Sequence, residues 1–142
     1  MARSTFTAEV LTPEGEVFNG EVEMVSTRTE VGSLGILGNH QPLLGMLAPT
    51  ALRLYQSETD IVTFAQGEGY VQVADNHVLV LVEDAIPSGD LDVADLRDKV
   101  SRAESEIAEA EEGSEAQAKA RRDKRRWETF IAVAEGPAPT AS

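Results

Sequence analysis

The residues that could do chemistry in this chain are few, and their spacing is unlike that of an active site. His40 and His77 are the only two histidines, and cysteine is absent, which excludes thiolate zinc sites and cysteine nucleophiles. Neither histidine stands at a metal-binding spacing from a carboxylate, so we expect His40 to have a hydrogen-bonded structural role. Ser26, Ser33 and Ser88 lack any nucleophile-elbow context. The sequence therefore predicts no catalytic residue, no metal ligand and no cofactor.

Three glycines, at positions 32, 35 and 38, could suggest a phosphate cradle. A phosphate-binding loop needs a following Gly-Lys-Ser/Thr and a helix N-terminus, and neither is present here. The surrounding residues are acidic and would repel phosphate. We interpret the three as turn glycines in a loop that faces a protein partner.

The net charge of −13 is concentrated in the first two thirds of the chain. Through Asp90 there are 13 acidic residues and three basic ones. Such an acidic body repels phosphate backbones and anionic lipid, so no nucleic acid partner is expected. The N-terminus shows no signal peptide pattern, and no apolar run approaches the roughly 18 residues of a membrane span, so direct membrane insertion is not expected.

The elements that position these residues change character near residue 88. Up to about Glu83 the chain reads as many short strands with turns, which is typical of a sandwich or barrel. Thr12–Gly15 predicts a turn, and the clearest hairpin joins Tyr70–Val73 to Val78–Val82 around Asp75-Asn76, residues that tolerate positive φ. The segment between Thr27 and Leu52 is interpreted as a glycine-rich loop.

Beyond Asp90 the apolar residues step by three and four, which predicts helices. A first helix is capped by Asp90 or Asp92 and interrupted at Gly113-Ser114. A second runs from about Glu115 to Ala134, with Ala116, Ala118 and Ala120 as its only apolar contacts in its first half. Residues 136–142 are predicted to be a disordered tail.

Charge is segregated between the two predicted helices. Acids dominate before Gly113, and a cluster of bases follows it: Arg121, Arg122, Lys124, Arg125 and Arg126. Exposed ion pairs contribute only about 0–1 kcal/mol each, and a seam of alanines buries little area. Such a hairpin could open toward an acidic partner. The alternative interpretation is a solvated coil whose charges serve solubility.

Four segments resemble one family in the same order along the chain. The segment 32–44, GSLGILGNHQPLL, resembles the characteristic loop of the epsilon subunit of the F-type ATP synthase. The block 67–73, GEGYVQV, and the valine-rich strand after it resemble the family's next block, and Asp84–Ile86 with Asp90–Asp92 resemble its join to the helices. The resemblance covers about residues 4–134.

The resemblance implies a mainly β fold with added α structure: a β-sandwich of about ten short strands followed by an antiparallel two-helix hairpin. It implies a sandwich domain at 1–88 that binds the gamma subunit and the membrane c-ring, and a regulatory hairpin at 89–135. In an extended state the hairpin would reach the beta and alpha subunits and restrain ATP hydrolysis through the five bases. The implied place is peripheral, at the cytoplasmic face of the plasma membrane. The partner contacts are expected at Glu30, Ser33, Leu34, Gly35, His40 and Pro42, with Glu30 as a substitute for the acid that some members carry at position 33.

One departure concerns nucleotide sensing. Members that sense ATP carry an aliphatic residue and an aspartate, two variable positions, then arginine and alanine. Asp92 matches the aspartate, but Asp95 stands in place of the arginine and would repel phosphate. No nucleotide-binding site is therefore expected.

The alternative left open by the residues themselves is a free-standing β-sandwich adaptor whose coiled hairpin binds an unrelated partner. Co-purification with alpha, beta and gamma subunits would separate the two hypotheses.

Overall fold

The computed structural model describes residues 4–136 and divides the chain into two compact units between Pro87 and Ser88. Ten strands make up the first unit and two α-helices dominate the second. The predicted fold class is confirmed. Apart from Gly136, the predicted tail at 136–142 lies outside the described residues.

The ten strands form one continuous sheet that wraps around a single core. The sheet order is β10-β7-β6-β3-β5-β8-β9-β1-β2, with β4 paired to β3. All pairings are antiparallel except that between β1 and β9. The strand bounds are β1 Phe6–Thr12, β2 Gly15–Val22, β3 Met24–Thr29, β4 Gly32–Leu37, β5 Leu43–Leu47, β6 Thr50–Tyr55, β7 Ile61–Gln66, β8 Gly69–Ala74, β9 His77–Val82 and β10 Ala85–Pro87.

Two of these strands correct the sequence interpretation. The segment interpreted as a glycine-rich loop contains all of β4 and all of β5. Glycine disfavours a strand locally, but six cross-strand pairs between β3 and β4, from Met24↔Leu37 to Thr29↔Gly32, hold it in the sheet. Pairing with a partner strand overrides the local preference.

The predicted turns are present and have the expected backbone. Asp75 and Asn76 both have positive φ, 51° and 60°, at the two-residue connection between β8 and β9. Gly15, at φ 129°, starts β2 after the Pro13-Glu14 turn. These turns set the registers Ala74↔His77 and Thr12↔Gly15.

Alternate side chains of each strand fill the core of the sandwich. In β1 these are Phe6, Ala8 and Val10, and in β9 they are Val78 and Val80; all five are at most 2% exposed. The same alternation holds in β3, β6 and β8. The side chains between these positions therefore face outward.

A polar pair lies within this apolar core. Gln66 and Thr27 are 0% and 3% exposed. Thr27 Oγ1 donates to Gln66 Oε1 at 2.5 Å, and Gln66 Nε2 donates to the carbonyl oxygens of Ala48 and Gly67 at 2.9 and 3.0 Å. Every polar atom of the Gln66 amide is thus partnered, which a buried amide requires.

The second unit is a helical hairpin preceded by a 3₁₀ turn at Ser88–Asp90. The helices are α1 Val93–Glu109 and α2 Glu115–Glu135. Of the two predicted caps, Asp92 is the one used: its side chain accepts from the Asp95 amide at 3.1 Å. The first helix ends earlier than predicted, because Ala110 takes an extended conformation three residues before Gly113.

Candidate interaction surfaces

Four large apolar side chains project to solvent from three adjacent strands of the sandwich. Leu44 and Met46 of β5 are 74% and 59% exposed, Tyr70 of β8 is 53% exposed, and Leu81 of β9 is 43% exposed. Met46 pairs with Tyr70, and Tyr70 pairs with Leu81, so these side chains share one side of the sheet. We call these four residues the outer apolar face.

An apolar cavity of about 360 Å³ continues this face at the end of the sandwich that carries the β1–β2 turn. Tyr70 and Leu81 belong to both the face and the cavity, and Leu11 and Pro13 add further apolar wall. Glu68 and Glu83 also line it. Exposed apolar surfaces of this kind are typical of sites where a protein, a membrane or a ligand binds.

The sequence indicates only the β9 part of the outer apolar face. Val78 to Val82 show no polar alternation, and a strand that is apolar on both sides needs a helix or a partner over its second side. In the structure Val78, Val80 and Val82 are buried while Leu81 is exposed. One side of the strand therefore packs in the core and the other forms part of the outer apolar face.

The six predicted partner-contact residues do not form one compact cluster. Glu30 lies in the β3–β4 turn and Ser33 early in β4, whereas His40 and Pro42 follow the far end of that strand. From Ser33 to its end at Leu37 the strand spans roughly 13 Å at about 3.3 Å per residue, and a turn at Gly38-Asn39 follows before His40. Gly35 is exposed at mid-strand, and Leu34 packs against the core.

The β3–β4 turn is the more exposed of these two ends. Val31 at its tip is 98% exposed, and Glu30 beside it is held by its amide, which donates to the Met46 carbonyl at 3.3 Å. Thr29 Oγ1 donates to the Gly32 carbonyl at 3.0 Å, and Gly32 has φ 147°. The turn therefore presents an apolar tip on a firmly bonded backbone.

The other end of β4 is tied to its neighbours. The Asn39 amide donates to Asn76 Oδ1 at 2.9 Å, and Asn76 Nδ2 donates to the Thr5 carbonyl at 3.3 Å. His40 Nδ1 lies 2.7 Å from the Gln41 carbonyl oxygen; since a carbonyl only accepts, this nitrogen carries the proton. His40 is expected to have a hydrogen-bonded structural role, and the Gln41 carbonyl is its partner in the structure.

The predicted basic cluster lies along one stretch of α2. Arg121, Arg122 and Arg125 are exposed, and Lys124 and Arg126 are partly buried. Arg122 Nη2 is 3.2 Å from Glu115 Oε1 within the same helix, and Lys124 Nζ is 3.6 Å from Glu104 Oε2 across the hairpin. Within residues 4–136, Arg121 has no ion-pair partner.

The second half of α2 carries the only tryptophan of the chain, Trp127. Its ring meets that of Phe130 edge to face, with centroids 5.7 Å apart. Lys99 Nζ of α1 lies 4.7 Å from the centroid of the indole ring, and the Arg126 guanidinium 5.1 Å from it. The contact between Lys99 and Trp127 joins the two helices away from the turn, whereas that of Arg126 lies within α2.

The residues of the nucleotide-sensing pattern are already engaged in local contacts. Asp92 caps α1. Asp95 Oδ2 is 3.3 Å from Lys99 Nζ. Arg97, two positions beyond the one where the pattern has its arginine, has Nη2 2.9 Å from Glu135 Oε2. The carboxylate of Asp95 thus occupies the position where the pattern has a phosphate-binding arginine, and the absence of nucleotide binding stays a prediction.

Within residues 4–136, no group of three or more histidine, aspartate or glutamate side chains is placed to hold a metal ion. In the same range, no helix combines the length and apolarity that crossing a bilayer requires.

The chain is similar to known proteins along most of its length. Residues 5–88 match the family model for the ATP synthase, Delta/Epsilon chain, beta-sandwich domain. The ATP synthase epsilon chain of Halalkalibacterium halodurans is 38% identical over 76% of this chain and 80% of its own length. That of Hydrogenobaculum sp. is 33% identical over 92% of this chain and 94% of its own length.

Two solved structures have the same fold. A chain of the Euglena gracilis mitochondrial ATP synthase OSCP/F1/c-ring assembly matches with a TM-score of 0.78 at 17% identity, over 93% of this chain and 82% of that one. A chain of the Tetrahymena thermophila mitochondrial ATP synthase central stalk/c-ring matches with a TM-score of 0.62 at 20% identity, over 94% of this chain and 99% of that one. The family match over residues 5–88, together with relatives above 30% identity across most of the sequence, leads to one conclusion: this chain belongs to the ATP synthase epsilon chain family.

Proposed function

We propose that this protein is a central-stalk subunit of a proton- or sodium-driven F-type ATP synthase, coupling the membrane ring to the catalytic head and restraining ATP hydrolysis through its helices. As an epsilon chain it is a non-catalytic subunit of the complex. The observation that carries the proposal is the presence, in one epsilon chain, of an exposed apolar sheet face and a separate exposed basic helix. In this role the protein lies peripherally at the cytoplasmic face of the plasma membrane.

The outer apolar face supports binding to the gamma subunit. A subunit that turns with the central stalk needs a long-lived contact, and long-lived interfaces are more apolar than transient ones. Leu44, Met46, Tyr70 and Leu81 leave much of their apolar area in water in the isolated chain. Covering them would supply free energy at roughly 25 cal/mol per Å².

The β3–β4 turn supports contact with the membrane ring. Val31 offers an apolar tip that is 98% exposed, and Glu30 and Ser33 on either side of it are exposed polar groups. A short protruding turn of this composition suits a small contact with the loops of ring subunits. His40 and Pro42, beyond the other end of β4, would then contact a different surface from Glu30.

The basic cluster supports restraint of ATP hydrolysis. In the folded hairpin the Arg122–Glu115 pair is exposed, with side chains 52% and 86% accessible, and such pairs contribute about 0–1 kcal/mol. Acidic loops of the beta and alpha subunits could replace these contacts with charge-assisted hydrogen bonds. The extended helix would then obstruct the catalytic head in the direction of hydrolysis.

The experiment is a reconstituted complex in which five bases of α2 are changed to glutamine. ATP hydrolysis should rise while the amount of subunit bound to the complex is unchanged. The positions are Arg121, Arg122, Lys124, Arg125 and Arg126.

A matched control changes two bases outside this cluster, Arg102 and Lys119, to glutamine, and hydrolysis should stay at the native rate. Equal ATPase rates in the native and the five-substituted complexes would contradict the restraint. Loss of the subunit from the five-substituted complex would instead place these bases in assembly.

A further inference from the structure

The turn of the helical hairpin contains one buried amide side chain. Gln117, in the first turn of α2, is 6% exposed. Its Oε1 accepts from the Gly113 amide at 2.9 Å, and its Nε2 donates to the Ile107 carbonyl and to Glu112 Oε2, each at 3.3 Å. One side chain therefore bonds to the first helix, to the turn and to the turn's carboxylate.

The bond to Ile107 satisfies a group that the first helix cannot satisfy by itself. The carbonyl oxygens of the last turn of a helix have no intrahelical partner. Since α1 ends at Glu109, Ile107 belongs to this turn. The partner comes from the second helix, so the hydrogen bond exists only while the hairpin is closed.

A second bond at the same residue is purely local. The Gln117 backbone amide donates to Ser114 Oγ at 3.1 Å, which is the usual N-cap of a Ser-x-x-Gln sequence. This bond lies within α2 and its cap. It involves no residue of α1.

Apolar burial next to the turn is small. Ala103 and Ala120 are the buried apolar residues in this half of the hairpin, whereas the large ones, Leu96 and Phe130, lie toward the other end. Alanine removes little area from water. Hydrogen bonds therefore contribute a larger share of the free energy that keeps the hairpin closed near the turn than at its other end.

We propose that Gln117 is the latch of the hairpin: its amide nitrogen holds the end of α1 to the start of α2, and opening requires that its bonds to Ile107 and Glu112 break. Gly113, with φ 78°, is the point about which the chain can straighten. The latch rests on the proposed function only for its regulatory consequence, because closure of the hairpin is a property of the isolated chain.

The test measures the distance between the helices in the full-length protein. The chain has no cysteine, so Ser101→Cys and Glu128→Cys, at exposed positions of α1 and α2, give a unique spin-label pair for pulsed electron resonance. Gln117→Leu keeps the side-chain bulk and removes both amide groups. Gln117→Glu keeps an acceptor for Gly113 and places a second carboxylate beside Glu112.

Removing the amide should raise the ratio of open to closed hairpin about fivefold to thirtyfold, with Gln117→Glu above Gln117→Leu. Ser114→Ala is the matched control: it removes the local cap and should lower the helix content of α2 without adding the long-distance population. Native distance distributions in both Gln117 variants would overturn the latch. So would opening in Ser114→Ala equal to that in Gln117→Leu.

A parallel ATPase measurement on the reconstituted complex separates the two proposals. Under both, the Gln117 variants open more readily and inhibit hydrolysis more strongly. Opening without any change in hydrolysis would keep the latch and contradict the restraint. Unchanged distances together with relief of hydrolysis by the five-base variant would do the reverse.

Discussion

The outer apolar face gives a prediction whose size can be worked out residue by residue. Leu44 is the most exposed of its four members, at 74%. Leu44→Ser leaves the core untouched, since the inward positions of β5 are Leu43, Gly45 and Leu47. The substitution should therefore change the free energy of unfolding by less than about 0.5 kcal/mol.

The effect on gamma binding should be much larger. Fully burying a leucine side chain contributes about 1.5–3 kcal/mol, and Leu44 has about three quarters of its surface left to bury. The loss is then about 1–2 kcal/mol, which corresponds to a roughly fivefold to thirtyfold increase in Kd. Leu81, at 43% exposed, has less to lose; for Leu81→Ser we expect about half that free energy.

The assay is titration calorimetry of the purified chain with the gamma subunit. Leu37→Ser is the matched control, because Leu37 is also exposed, at 47%, but lies on β4 away from the outer apolar face. Its Kd should equal that of the native chain. Tight binding by Leu44→Ser together with weak binding by Leu37→Ser would refute the assignment of the face and move the interface to β4.

Three further predictions concern the elements that hold these surfaces. Thr27→Val removes the donor to Gln66 Oε1 at nearly constant shape and should lower the free energy of unfolding by about 1–3 kcal/mol. In denaturant unfolding the midpoint should fall while the slope stays unchanged. A native midpoint would mean that the Gln66 oxygen finds another donor. Gly69→Ala would place a methyl group against the Leu81 carbonyl and the Val82 backbone and should lower the midpoint of thermal unfolding. Gly35→Ala, where open space surrounds the added methyl group, should lower it far less. Equal midpoints would show that β8 and β9 can separate to accommodate the methyl group. Phe130→Ala empties a fully buried site beside Trp127 and should lower the free energy of unfolding of the second unit by about 3–5 kcal/mol. The unfolding transition can be followed by the fluorescence of the single tryptophan. A transition at the native position would contradict this prediction.

Local patterns of the chain were enough to predict much of the architecture. Alternation of apolar and polar residues in Phe6–Val10 predicts a strand with one buried side. After Asp90 the apolar residues are spaced by three and four, which predicts a helix. Asp75-Asn76 predicts its hairpin because those residues accept positive φ. Asp92 caps a helix wherever the rest of the chain lies, because its bond to the Asp95 amide spans three residues.

Other features depend on residues far apart in sequence, and only the tertiary structure decided them. β4 is glycine-rich and becomes a strand because β3 pairs along its whole length. The outer apolar face exists because β5, β8 and β9 are neighbours in the sheet; alternation in one strand says that two sides differ but not what lies next to each. Gln117 reads as an ordinary polar helix residue until the closed hairpin brings Ile107 to it. Contacts within a turn or a helix depend on residues that are close in sequence and can be predicted from them. Burial and surface patches depend on which distant segments the fold places side by side.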